Sequence, residues 1–343
     1  MIELGDYDYA LPPSAIAQQP LPERDGARLL RLDRSSGARE HGAIRDLPEL
    51  LRPGDLVVLN ATRVVPARLR GEKATGGRAE ALLLGTASEP GSFEALVRAR
   101  GRLRTGQKLR FARGAQSEEA EISHVLGDGR VVLQFAASAD PYALGEMPLP
   151  PYIAREHAEA RDAERYQTVF ARAPGSVAAP TAGLHLTEQL LGAIRARGAE
   201  TAEVVLHVGI GTFRPLRAED LAAGALHAER YELPAETARA IAATRARGGR
   251  VVAIGTTSAR VLESCADGAG GAHPGAGETR LFLAPGARFQ VVDALLTNFH
   301  LPRSSLLLLV SAFAGREPVL AAYREAIALG YRFYSYGDAM WIA

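Results

Sequence analysis

PGARFQVVDALLTNFHLPRSSLLLLVSAFAG, residues 285–315, decides how the rest of the chain is read. Residues 290–297 carry the apolar run of a buried strand, and residues 304–313 are apolar on nearly every side, which predicts a central helix. Between them Thr297, Asn298, Phe299, His300, Leu301 and Pro302 crowd a hydroxyl, an amide and an imidazole into six positions. An unpaired buried polar group costs about 1–3 kcal/mol. These groups must therefore bond one another or be completed by a ligand.

Outward from this stretch, strand and helix alternate as a layered α/β domain requires. Strands are predicted at residues 28–33, 55–60, 203–208, 250–254, 279–283 and 332–336. Helices are predicted at 187–197, capped by Thr187 and ended by Gly198, and at 235–247, 258–265 and 318–329. Residues 154–164 have helical tendency, whereas 173–183 and 267–277 read as loops. The texture changes between residues 63 and 135. Short β runs at 79–84, 93–100, 108–111, 119–125 and 130–135 alternate with Gly-containing turns and no helical period intervenes, which predicts a small barrel or sandwich. The expected organisation is an α/β domain of residues 1–62 and 141–343, interrupted by a small all-β barrel-like domain of residues 63–140.

The 343 residues carry 40 Lys and Arg against 39 Asp and Glu, so a polyanion must meet a local cluster of base rather than the whole surface. Arg98, Arg100, Arg102, Arg104, Lys108, Arg110 and Arg113 form such a cluster in the acid-free interval between Glu94 and Glu118. The first four alternate, which projects them from one face of an extended segment and suits a nucleic-acid backbone. An Arg-rich solvated face is the alternative, and Gly101 and Gly106 interrupt the strand. The single cysteine, Cys265, excludes internal disulfides. The acidic N-terminus lacks the pattern of a signal peptide, and the longest apolar run, residues 306–310, falls far short of a membrane span. A cytoplasmic protein without membrane contact is expected.

Four polar turns follow buried-looking strands or open helices. PTAGLH contains Thr181, Gly183 and His185; HVGIGTF contains His207, Gly209, Gly211 and Thr212; GTTSAR contains Thr256, Thr257 and Arg260; the fourth is the turn of Asn298 and His300. Ligands of α/β folds bind at the carboxyl ends of strands, where glycine lets backbone N–H groups approach. Four such turns in one domain predict a site. No GxxxxGK[ST] phosphate loop occurs, and His185, His207, His227 and His300 stand in no zinc-binding frame. A metal-dependent hydrolase built on His185, His207, His227 and Glu229 is the alternative reading. Arg260 falls in the first turn of the predicted helix 258–265, where a cation is unfavourable without an anion beside it; this favours a grip on a carboxylate or phosphate.

The motifs stand in an order that resembles the S-adenosylmethionine:tRNA ribosyltransferase-isomerase family of queuosine biosynthesis. The blocks are DYDY with Leu11 and Pro12, NATRVVPAR (60–68), ERYQTVF (164–170), APTAGLH (179–185), HVGIGTF (207–213), HAERY (227–231), GTTSAR (255–260), TNFHLP (297–302) and YRFYSYGDAMW (331–341). Together they cover essentially the whole chain. The resemblance implies an α/β domain carrying an inserted β-barrel. It also implies that the ribosyl group of S-adenosylmethionine passes to 7-aminomethyl-7-deazaguanine at the anticodon wobble position of tRNA, giving epoxyqueuosine with release of adenine and methionine. S-adenosylmethionine is then a consumed substrate, with no cofactor and no metal expected. The expected partner is a tRNA with a GUN-type anticodon carrying the precursor base, and the protein is expected to be a monomer.

Such a transfer calls for a base at the C5′–H that the sulfonium acidifies, a proton donor for departing adenine, and an aminomethyl group that arrives deprotonated. The motif positions that qualify as proton handlers are His185, His207, Glu229, His300 and Asp338. Thr181, Gly183, Gly209, Gly211, Thr212, Thr256, Thr257, Arg260 and Asn298 are expected to bind the substrate, Arg260 through a methionine carboxylate. Asn60, Arg63 and Arg68, with Arg98, Arg100, Arg102 and Arg104, are expected to face the RNA. A tRNA-binding module without catalysis is the third reading, since the basic cluster suffices for it.

Overall fold

The computed structural model describes every residue except 1, 210, 212–215 and 217. Its strands are β1 (Arg28–Leu32), β2 (Arg39–Ala43), β3 (Leu56–Asn60), β4 (Thr62–Val64), β5 (Arg68–Lys73), β6 (Arg78–Thr86), β7 (Ser92–Ala99), β8 (Lys108–Arg113), β9 (Gln116–Gly127), β10 (Arg130–Gln134), β11 (Ala173–Ser176), β12 (Glu200–Leu206), β13 (Ala225–Leu233), β14 (Val251–Ile254), β15 (Gly275–Leu281), β16 (Ala294–Asn298) and β17 (Ala339–Ile342). The helices are α1 (Leu47–Leu50), α2 (Asp162–Arg165), α3 (Glu188–Ala196), α4 (Ala218–Ala223), α5 (Ala235–Ala246), α6 (Thr256–Ser264), α7 (Ser305–Ala314) and α8 (Arg316–Ala328).

Alternation along the strands assigns side chains to two cores. In the nine-stranded sheet β15-β13-β12-β3-β14-β16-β17-β1-β2, the four central strands β12, β3, β14 and β16 run parallel. Leu56, Val58, Val251, Ala253 and Leu295 enter one core, shared with α6, α7 and α8. Val57, Leu59, Val252, Ile254, Ala294 and Leu296 enter the other, closed by Leu190, Leu191 and Ile194 of α3. A parallel sheet needs this cover on both faces, because apolar side chains of β3, β14 and β16 point to either side. The expected central helix is α7, whose Leu307, Leu308, Leu309 and Val310 are all buried.

The second unit is a closed antiparallel barrel, β10-β7-β6-β5-β8-β9, filled by Leu69, Ala81, Leu83, Phe111, Ile122, Val131 and Leu133. The α/β fold with a barrel-like insertion is thus what the chain adopts. β4 and β11 pair in parallel beside it.

Several elements differ from the sequence expectation. Of residues 154–164 only the end is helical, as the single turn α2. HAERY lies in β13, and β15 begins inside the expected loop 267–277. The closing strand is β17, not residues 332–336. Tyr334 takes φ +74°, and a Cβ on Gly337 would stand 2.5 Å from the Arg332 carbonyl oxygen, so the chain turns back there. Ala339, Met340, Trp341 and Ile342, all buried, then take the strand position between β16 and β1.

Candidate active site

The carboxyl ends of β14 and β16 open into a cavity of about 880 Å³. β14 ends at Ile254 and delivers Thr256 and Thr257, with Arg260 one turn further along α6. β16 ends at Asn298 and delivers Phe299 and His300. The turn Thr181–His185 adds Thr181 and Ala182. This turn packs tightly at its glycine: a Cβ on Gly183 would stand 2.8 Å from Phe170 Cζ and 2.9 Å from Thr168 Cγ2. Tyr334 and Ser335 complete the wall from the segment before β17.

Among the described residues lining this cavity, five polar atoms are buried without a hydrogen-bond partner: Tyr166 Oη, Thr257 Oγ1, Arg260 Nη2, Asn298 Oδ1 and Tyr334 Oη. Native interiors pair nearly all such atoms, so five around one cavity mark the outline of a polar ligand. Arg260 is aimed by its remaining bonds. Its Nη1 donates to Glu229 Oε2 and its Nε to the Leu281 carbonyl oxygen at 3.2 Å, while Glu229 Oε1 accepts the Gly209 N–H at 2.9 Å. The two side chains are 7% and 5% exposed, so the guanidinium enters the site with its charge already compensated. The sequence expectation of an anion beside Arg260 is met within the protein by Glu229.

Asn298 Nδ2 donates to His185 Nε2 at 3.2 Å and to the Tyr334 carbonyl oxygen at 3.1 Å. His185 is thereby the acceptor, and burial pushes its pKa down to about 4. His300 is fixed from three sides. Its Nε2 lies 2.7 Å from Thr297 Oγ1, its backbone N–H donates to Tyr323 Oη at 3.0 Å, and its carbonyl oxygen accepts the Tyr9 hydroxyl. Burial pushes its pKa down to about 3. Both rings are neutral at neutral pH and act as hydrogen-bonding groups or bases rather than as imidazolium acids.

The other expected site residues are placed elsewhere. Asp338 is 1% exposed and saturated: its carboxylate accepts the backbone N–H groups of Arg28 (2.9 Å) and Arg332 (2.8 Å) and the Arg28 guanidinium (3.0 Å). His207 Nδ1 meets Thr62 Oγ1 at 2.9 Å, and burial lowers its pKa. Gly209 serves Glu229 through its N–H; a Cβ on Gly211 would stand 3.2 Å from His227 Cβ; Thr212 lies outside the described residues. His185, His207 and Glu229 thus answer to separate partners, and among the described residues no group of three or more His, Cys, Asp or Glu is gathered to hold a metal ion.

Of the residues expected to face RNA, Asn60 does not: it is 1% exposed, with its amide bridging β3 to Leu206 and Thr62. Arg68 is half-buried against the Leu149 carbonyl oxygen, and Arg63 is exposed. Arg98, Arg100, Arg102 and Arg104 are all exposed, but the single pleated face is not formed. β7 stops at Ala99 with Arg98 opposite Glu80 of β6, and Gly101 (φ +84°) and Gly106 (φ +80°) bend the connection to β8, so Arg100, Arg102 and Arg104 form a loop cluster beside it. Lys108 and Arg110 stand opposite Glu121 and Glu119 of β9, which leaves the loop as the more basic part.

Thr297, the hydroxyl of the polar turn, lines the site as expected; Tyr152 and Tyr334 belong to it and were not singled out from the sequence. YRFYSYGDAMW pointed to the right segment, but an expected strand there hides the turn that presents Tyr334.

The family model for the Queuosine biosynthesis protein matches residues 4–342. The chain belongs to this family. A relative from Pelobacter propionicus, named S-adenosylmethionine:tRNA ribosyltransferase-isomerase, is 54% identical over 98% of each chain. One of the same name from Acidithiobacillus ferrooxidans is 54% identical over 98% of this chain and 97% of its own. Among solved structures, the S-adenosylmethionine tRNA ribosyltransferase of Thermotoga maritima is 38% identical, with a TM-score of 0.57 over 98% of this chain and 100% of that one. No single helix among the described residues is long and apolar enough to cross a membrane.

Proposed function

We propose that this protein transfers and isomerises the ribosyl moiety of S-adenosylmethionine onto 7-aminomethyl-7-deazaguanine at the wobble position of tRNA, releasing adenine and methionine and leaving epoxyqueuosine. The observation that carries the reading is the cavity at the strand ends, where a buried guanidinium nitrogen, amide oxygen and hydroxyls lack partners in a chain about half identical to enzymes of that name. Its volume of about 880 Å³ suits a small-molecule ligand.

Arg260 Nη2 grips the methionine carboxylate, with Glu229 holding the guanidinium in line. Asn298 Oδ1 accepts a ribose hydroxyl, and Thr257 adds a second polar contact. His300, kept neutral by burial, takes the C5′ proton beside the sulfonium. The resulting ylide needs shelter from water, which the buried Thr297, Asn298 and Phe299 provide on the floor of the cavity. S-adenosylmethionine is consumed, so no resident cofactor is required. The tRNA carries a GUN-type anticodon and meets the exposed arginine loop between β7 and β8. The protein works as a cytoplasmic monomer, with residues 63–140 as the inserted domain.

The test is incubation with precursor-bearing tRNA and S-adenosylmethionine labelled in the ribose or in the methyl group. Ribose label entering RNA, with adenine released in equal amount and only when the precursor base is present, is the expected result. Methyl label in the RNA, or adenine release indifferent to tRNA, rejects the reading.

A further inference from the structure

The cavity has unlike ends. The strand order β14-β16-β17 places Thr257 and Arg260, which follow β14, on one side of β16 and Tyr334, which precedes β17, on the other. Asn298 and His300 follow β16 and lie between. The two ends therefore offer a buried cation and an aromatic surface, with the amide and imidazole in the middle.

The aromatic end is held in place at a conformational cost. Tyr334 adopts φ +74°, a region that bulky side chains avoid, and such strain persists only where surrounding structure enforces it. The enforcing bonds come from the same site: Tyr334 N–H donates to the Phe299 carbonyl oxygen at 3.2 Å, and its own carbonyl oxygen accepts Asn298 Nδ2 at 3.1 Å. The result sets the Tyr334 ring 4.1 Å from that of Tyr152, centroid to centroid, at an interplanar angle of 44°. Tyr152 is fixed in turn through its hydroxyl to Ser335 Oγ. Both tyrosines line the cavity, and the Tyr334 hydroxyl is buried without a partner.

Resting on the reading of this cavity as the S-adenosylmethionine site, we propose that Tyr334, backed by Tyr152, is the platform on which the adenine ring stacks. The substrate then lies with its base beside the start of β17, its carboxylate at Arg260 and its ribose–sulfonium junction against Asn298 and His300. Aromatic side chains bind bases through their π faces, and the Tyr334 ring offers such a face to the cavity. The strained backbone is what turns the ring toward the cavity: an extended residue 334 would continue a strand.

The experiment compares wild type, Tyr334→Phe, Tyr334→Ala, Tyr334→Gly and Arg260→Gln. Displacement of labelled S-adenosylmethionine by adenine, by methionine and by 7-aminomethyl-7-deazaguanine is measured alongside thermal unfolding. Tyr334→Ala and Tyr334→Gly should each weaken S-adenosylmethionine and adenine on the order of tenfold while leaving methionine competition unchanged. Tyr334→Phe should keep most of the affinity. Tyr334→Gly should unfold at a higher temperature than Tyr334→Ala, since glycine is free at this φ, which separates loss of the platform from loss of the fold. Arg260→Gln should show the opposite pattern, with methionine weakened and adenine kept. Unchanged adenine affinity in both Tyr334→Ala and Tyr334→Gly overturns the proposal, and so does a loss confined to the 7-deazaguanine base, which would give the platform to the RNA. A wild-type protein that binds no S-adenosylmethionine removes the cavity assignment itself, a result distinct from either.

Discussion

Asn60 and Asn298 each end a parallel strand of the same sheet, and they are 1% and 2% exposed. Asn60 Oδ1 accepts the N–H groups of Thr62 and Leu206, and its Nδ2 donates to the Leu206 carbonyl oxygen. Asn298 Nδ2 is engaged, but its Oδ1 meets nothing. One amide ties strands together and the other keeps an open acceptor on the cavity. Burial of a polar side chain therefore says little about function; what separates the two is whether its bonding capacity is already filled. Asp338 falls with Asn60 by this criterion, and Arg260, Thr257 and Tyr334 fall with Asn298.

The largest effect that tests this division is expected at His300. His300→Ala should lower turnover by about 10²- to 10⁴-fold, the usual contribution of a positioned base, with only a small shift in unfolding temperature. Wild-type turnover in this variant would move His300 to the structural side. Asp338→Ala should do the reverse. Stripping the partner from two part-buried N–H groups and the half-exposed Arg28 guanidinium should cost about 1–3 kcal/mol in denaturant unfolding, while the folded fraction retains its affinity for S-adenosylmethionine. A variant of normal stability that is dead in catalysis would break the comparison.

Smaller changes sharpen it. Replacing Arg98, Arg100, Arg102 and Arg104 together should flatten the salt dependence of tRNA binding by about one unit of slope per lost phosphate contact and leave S-adenosylmethionine binding intact. An unchanged slope would return the loop to an ordinary solvated surface. The buried histidines supply the last test. Their folded pKa values, about 4 for His185 and about 3 for His300, lie below the ordinary value of 6.5, so in acid the unfolded chain binds protons that the folded one refuses. Stability should fall as pH drops below about 6.5 and continue falling toward these values, by at most about 1.4 kcal/mol per pH unit for each ring. His300→Gln should make the curve of stability against pH shallower across that window; an unaltered slope would mean that the ring is solvated.

What the sequence disclosed was local. GTTSAR and TNFHLP each carry a strand end and the start of the next helix within a few residues, so the chain itself brings their side chains to the cavity. The barrel was readable for the same reason, as hairpins with strands at regular spacing. Pairings across distance were not. Glu229 meets Arg260 only because β13 joins the sheet beyond β12, and Asn60 is saturated by a residue 146 positions away. The acid-free interval around Arg98 lost part of its character when β9 brought Glu119 and Glu121 alongside β8. Tyr334 was hidden most completely, since its apolar neighbours suggest a strand and only the left-handed backbone shows otherwise.

The position of β17 also bears on how the molecule is made. β1 and β2 join the sheet through β17, which lies between them and β16, so segments from the two extremes of the polypeptide interlock. A nascent chain still lacking residues 339–342 leaves β1 and β2 without a neighbour in the sheet, and the cavity wall that leads into β17 cannot yet be anchored. Ribosome-bound chains halted at residue 338 should accordingly be cut by protease near β1, and protection there at that length would contradict this order of assembly.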